Sequence, residues 1–214
     1  MPELSGEYIQ THITAALAED IGEGDVTTNA LVDTQRRCQA RIVAREALTY
    51  CGQHLIEAVF KRLDAQTNIT HSHSDGAAVP AGAILATLDA SARALLTGER
   101  TALNYAQRLS GVATQAARYV AAVSGTGVLL LDTRKTTPGW RNLEKYAVQC
   151  GGARNHRRGL DDMVMIKDNH LAALQGSNRI SSAITQCRET HPDLKIEVEA
   201  DTPTQARQAA EAGA

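Results

Sequence analysis

Residues Val128–Gly139 read VLLLDTRKTTPG: four apolar side chains, then an acid, two adjacent cations, three threonines and a Pro-Gly pair. A short apolar run closed by turn residues reads as a buried strand, and Pro138-Gly139 breaks the chain before another element begins. The same order recurs downstream, with a helix near 140–149, a strand at 163–166, helices from about His170 and Ser181, a strand at 194–198 and a helix at 203–212. Strands alternating with helices predict parallel βα units. Asp132 with Arg134 and Lys135, then Lys167, then Glu199, fall at the C-terminal ends of three successive strands. In a β/α barrel that edge is where substrates bind, so charges placed there read as functional by position. Three units cannot close a barrel that normally needs about eight strands, so the expectation is an incomplete β/α barrel, truncated at its C-terminus.

Upstream the grammar differs. Tyr8, Ile9, Ile13, Ala16 and Leu17 recur at helical spacing, and the GEGD stretch at 22–25 ends that helix. Residues 37–49 alternate as a half-buried strand should, with Cys38, Ala40, Ile42 and Ala44 on one side. A helix at 53–63 and strand-like stretches near 68–73 and 84–88 complete an α+β unit. A long helix is then expected from Thr97 as N-cap. One side of it is rich in small apolar residues, while Arg100, Asn104, Gln107, Arg108 and Gly111 share a polar face.

With 43% hydrophobic residues the chain is ordinary for a globular protein, and a net charge of −2 argues against a general nucleic-acid binder. Cys38, Cys51, Cys150 and Cys187 are widely spaced, without a zinc-type pattern, which fits free thiols in a reducing cytosol. The first residues lack a basic and apolar leader pattern, and no apolar stretch approaches the roughly 20 residues that span a bilayer. A cytoplasmic protein is the expectation.

Between Asp132 and His170 lie eight Lys or Arg against five acids, a local positive excess in a negative chain. These cations sit in loops after apolar strands, among Gly, Pro, Asn and Thr, and such a cluster suits a small polyanion. Arginine's planar fork pairs with carboxylate or phosphate, and lysine supplies a compact charge. Glu197 and Glu199 lie two apart on one strand face, which costs desolvation unless they meet cations or a metal. Magnesium held by a carboxylate plus substrate phosphates fits Glu199, and an ion pair with Lys167 or Lys195 is the alternative. SGTG at 124–127 reads as a turn, and Cys150 as a small residue at a helix end.

The stretches EDIGEGDVTT (19–28), TGERTALNYAQRLSGVAT (97–114), the whole of 132–170 and KIEVEA (195–200) together resemble quinolinate phosphoribosyltransferase. The resemblance implies an N-terminal α/β sandwich domain (1–110) followed by the first part of a β/α barrel (111–214), in dimers or larger oligomers. It implies phosphoribosyl transfer from phosphoribosyl pyrophosphate to quinolinate with decarboxylation, assisted by Mg2+, giving nicotinate mononucleotide for NAD synthesis. By motif, Arg134, His156 and Arg157 would hold the quinolinate carboxylates, with Arg100 reaching in from an adjacent subunit. Lys135 and Lys167 would face the donor, and Glu199 its magnesium-pyrophosphate or ribose end. Ala153 and Trp140 depart from the family's usual glycine and leucine. The family's later aspartate and glycine-rich loops are missing, so these residues alone are not expected to be fully active. A paralogue acting on another anionic acceptor is the rival reading.

Overall fold

The computed structural model describes residues 4–214. The chain divides into two compact units, one ending at His156 and one running from Arg157 to Ala214.

In the first unit, α1 (Gly6–Ile21) starts on the Ser5 side chain and stops at Gly22, whose φ of 54° suits a residue without Cβ. The short α2 (Val26–Leu31), capped by Asp25, was not foreseen from the sequence. β1 (Arg37–Val43) has the expected alternation of exposed and half-buried residues. It ends at a bulge at Ile42/Val43, so the predicted strand to residue 49 divides, and Leu48–Thr49 become β2. α3 (Gln53–Leu63) matches the predicted helix, and β3 (Asn68–His71), β4 (Ala78–Val79) and β5 (Ile84–Ser91) follow. β5 is the centre of an antiparallel sheet of order β1-β5-β3, while β2 and β4 form a separate antiparallel pair.

The long helix α4 (Ala92–Ala122) begins earlier than expected. Ser91 Oγ accepts from Ala94 N at 3.1 Å and caps it, while the Thr97 hydroxyl is spent on Asp25 Oδ2 at 2.9 Å. Ile13, Leu55, Ile56, Val59, Leu88 and Leu109 are fully enclosed between these helices and the sheet, and α5 (Arg141–Cys150) adds Leu143 and Ala147 to the same core.

Val128–Leu131 is not the expected buried strand. Val128, Leu129 and Leu131 are 59%, 59% and 49% exposed, and the run makes a single parallel bridge, Leu131 with Arg154. An apolar run becomes a buried strand only when neighbouring strands take its amides and cover its faces. In the second unit β6 (Val164–Ile166) and β7 (Ile196–Val198) do pair in parallel, with α6 (Asp168–Ala173), α7 (Arg179–Thr190) and α8 (Pro203–Glu211) as the predicted alternation requires. Ile166, Ile180, Ile184, Ile196 and Ala209 form its small core. No helix among the described residues is long and apolar enough to cross a membrane.

The small residues of α4 have a structural reason. A Cβ on Gly151, at the end of α5, would fall 2.6 Å from Ala116 Cβ and 2.9 Å from Ala117 N, and also onto the Ala113 carbonyl. Helix backbone here meets helix backbone, which forbids a side chain. Gly151→Ala should therefore lower stability by about 1–3 kcal/mol, read as a reduced urea midpoint.

Candidate active site

The loop after Leu131 is built around a buried ion pair. Lys145 Nζ lies 2.6 Å from Asp132 Oδ1, with the two side chains only 3% and 7% exposed. Asp132 Oδ1 also accepts from His156 N at 2.8 Å, and Oδ2 accepts from Asn155 Nδ2 at 2.7 Å. Lys145 Nζ donates to His156 O at 3.1 Å, and Asn155 Nδ2 to Lys145 O at 2.9 Å. Two backbone bonds, Asp132 N to Arg154 O and Arg154 N to Leu130 O, complete the frame. Charge removed from water is costly unless paired and saturated with hydrogen bonds, and this pair has both. Lys145, one of eight cations in the sequence count, is thus scaffold and not ligand. Nothing in the sequence separated it from its neighbours, because its burial depends on Asp132 and Asn155, which other segments supply.

Two groups on this frame keep unused polarity. Arg134 Nε and Asn155 Oδ1 are buried without a hydrogen-bond partner. A guanidinium N–H left unpaired in the interior is costly, and an incoming acceptor such as a carboxylate oxygen would satisfy it. Lys135 is exposed, its backbone N held by Thr133 Oγ1 at 3.1 Å, and His156 is half-buried.

A second anchor holds the loop's far end. Glu144 Oε1 accepts from Arg108 Nη2 and the Thr137 hydroxyl, both at 2.8 Å, and Oε2 accepts from Thr137 N at 3.1 Å. Burial pushes the Glu144 carboxyl upward, but these donors outweigh it and hold it below the usual glutamate value. Trp140 stacks on Tyr105 with ring centroids 4.9 Å apart and meets His12 edge-on, which gives the departure from leucine a packing role. Arg100 is exposed on the polar face of α4 with Asn104, Gln107, Arg108 and Gly111, as expected.

The second unit carries its own charged pair. Lys167 Nζ pairs with Glu199 Oε1, the two side chains 39% and 48% exposed, so the alternative ion-pair reading of Glu199 describes this state. Glu199 N bonds Ile166 O, which extends the parallel ladder to the strand end where the acid stands. His170 Nδ1 accepts from Lys167 N at 2.9 Å, leaving Nε2 as the ring's other nitrogen. Arg157 donates from Nη1 to Met163 O at 3.4 Å. The first unit thus carries Arg134, Lys135 and His156, and the second carries Arg157 and pairs Lys167 with Glu199.

Two family models cover nearly all of the chain. The one described as the N-terminal domain of quinolinate phosphoribosyl transferase matches residues 25–110, and the one described as its C-terminal domain matches 112–214. The chain belongs to the quinolinate phosphoribosyl transferase family. A probable nicotinate-nucleotide pyrophosphorylase [carboxylating] of Synechocystis sp. is 46% identical over 86% of this chain, which spans 61% of that relative. The corresponding Bacillus subtilis protein is 44% identical over 92% of this chain and 67% of its own length. Among solved structures, the nicotinate-nucleotide pyrophosphorylase of Francisella tularensis superposes with a TM-score of 0.92 at 38% identity, over 99% of this chain and 74% of that one. NadC of Streptococcus pyogenes gives 0.93 at 38% identity, over 100% and 75%. The mixed α/β fold of this family is therefore the fold of this chain.

Two stability measurements check the site's framework. Lys145→Ala strands Asp132 as a buried charge and should cost about 3–5 kcal/mol in denaturant unfolding. Because the Glu144 carboxyl is lowered in the folded state, its contribution is present above the ordinary glutamate pKa of about 4.3 and fades as pH falls through the lower folded value. The stability gap between the native chain and Glu144→Gln should accordingly be widest at neutral pH and narrow below about pH 4.

Proposed function

We propose that the chain acts in the transfer of the phosphoribosyl group of phosphoribosyl pyrophosphate to quinolinate, with loss of carbon dioxide and release of pyrophosphate, giving nicotinate mononucleotide. Family membership supports this, and the observation that carries it is the buried, unpartnered Nε of Arg134 on the loop that Asp132 anchors. In this reading Arg134 takes an acceptor carboxylate together with His156 and Arg157, and Arg100 is lent by an adjacent subunit of a homo-oligomer. Lys135 and Lys167 take the donor's phosphates. Residues 1–110 serve as the α/β sandwich domain, and 111–214 open a β/α barrel in which the exposed run Val128–Leu131 would gain strand neighbours. The cytoplasm is the proposed compartment.

The chemistry is positioning and electrostatics. A dianion beside a polyphosphate needs several fixed cations, and placing both reactants replaces a bimolecular encounter with an oriented one. Charge builds on the leaving pyrophosphate, so lysines waiting there stabilise the transition state more than the ground state. Glu199, an oxygen donor at a strand end with one oxygen already facing a cation, fits Mg2+ held through a phosphorylated substrate better than in a cage of protein ligands. When bound, that ion would neutralise part of the pyrophosphate charge.

Calorimetric titration with quinolinate tests the reading. The native chain should give saturable heat, and Arg134→Ala should weaken binding at least about 30-fold, the loss expected when one partner of a desolvated charge pair is removed. Absence of saturable heat in the native chain would point to another anionic acceptor.

A further inference from the structure

A group of side chains in the first unit, on the far end of α5 from the Thr137 anchor, is unused by the proposed chemistry. Cys51 lies between β2 and α3, Asp75 in the turn between β3 and β4, and Cys150 closes α5. The two sulfurs and a carboxylate oxygen lie within 4.8 Å of one another. We propose that Cys51, Asp75 and Cys150 form a binding site for a thiophilic divalent cation, zinc above all. The proposal is independent of the phosphoribosyl transfer reading.

Three features support it. The donor set is two sulfurs and one carboxylate, the combination that selects zinc over hard cations such as magnesium. With Zn–S near 2.3 Å and Zn–O near 2.0–2.2 Å, tetrahedral ligands stand about 3.5–4 Å apart, so the triangle must contract by roughly 1 Å or less.

Asp75 is also held as a metal-binding carboxylate should be. Oδ1 accepts from Gly52 N at 2.9 Å and Gln53 N at 3.0 Å, and Oδ2 accepts from Tyr146 OH at 2.9 Å. Those donors are all neutral, which leaves the carboxylate's charge without a cation among these partners. They leave a lone pair on Oδ2, and they orient the ligand from outside as outer-shell partners of metal sites do.

The third feature is His71. Both its ring nitrogens are buried without a hydrogen-bond partner, and it lies within electrostatic reach of Asp75. Outside the three-residue group, it is the neighbouring imidazole with unused nitrogens, and a solvent water is the other source of a fourth ligand. Cys51 is enclosed, but Cys150 and Asp75 are only half-buried, so an ion has a route in. On binding, the ion takes the place of the two thiol protons, which pass to solvent.

The test uses the chain stripped with chelator and kept reduced by a phosphine. Titration with Zn2+ against a chromophoric chelator should show one equivalent bound per chain. Cys150→Ser and Asp75→Asn should each weaken it at least about tenfold, and Cys187→Ser should leave it unchanged. Co2+ in place of Zn2+ should give a thiolate-to-cobalt charge-transfer band that Cys150→Ser abolishes, a readout on the half-buried sulfur that leaves the enclosed Cys51 intact. Three results would overturn the proposal: no stoichiometric uptake by the native chain, uptake unaltered in Cys150→Ser, or a reduced protein that takes no zinc while oxidant joins Cys51 and Cys150 in a disulfide.

Discussion

The Asp132–Lys145 ion pair is the constraint on which the arrangement of the first unit's charged residues depends. Segments 128–136 and 151–156 have almost no regular structure, and a single backbone bridge joins them. What fixes them is a carboxylate whose oxygens reach three donors and an ammonium that also holds a carbonyl. Both polar atoms of the His156 backbone are taken, the N–H by Asp132 and the carbonyl by Lys145. An apolar pair of the same volume would cost less to bury, but it could not define the orientation of that peptide. The desolvation cost is thus spent on geometry.

The Lys167–Glu199 pair obeys the opposite rule. Its side chains are more than a third exposed, so water screens the attraction and little free energy is lost when the partners separate. In the proposed function, a phosphate reaching Lys167 would compete with the Glu199 carboxylate and the solvent. One pair is buried and saturates a peptide's polar atoms, the other is exposed, and the proposed function gives them scaffold and ligand-binding roles respectively.

Much of this was legible in the sequence. α3 was expected over the residues it occupies, and β6 and β7 lie within the strands expected at 163–166 and 194–198, each just before a charged residue. The start of α4 was misplaced because Ser91 and Thr97 are equally good caps by residue type, and only the position of Asp25 shows which hydroxyl is free to cap. Val128–Leu131 misled for a related reason: apolar character states what a segment would bury, while burial itself depends on neighbours. Arg134, Lys135, Lys167 and Glu199 were picked out by their place after apolar runs. Lys145 was not, since it is set apart only by contacts with Asp132 and His156. Cys51, Asp75 and Cys150 are far apart in sequence and belong to two connections and a helix end, so no spacing rule could have joined them.

Helix α5 shows how these features share one element without interfering. Successive helical residues are turned by about 100°, so a helix enclosed on all sides can serve a different neighbour with each. Leu143 enters the core, Glu144 holds Thr137, Lys145 holds Asp132, and Tyr146 holds Asp75. The end of the helix is then stopped against α4 by Gly151, which leaves no room for even a methyl group. Cys150 precedes that stop and His156 follows it. The residue after Cys150 is thus seated directly on the backbone of α4, so the helix end that carries the sulfur and the helix turn that carries Lys145 are positioned by one packing contact.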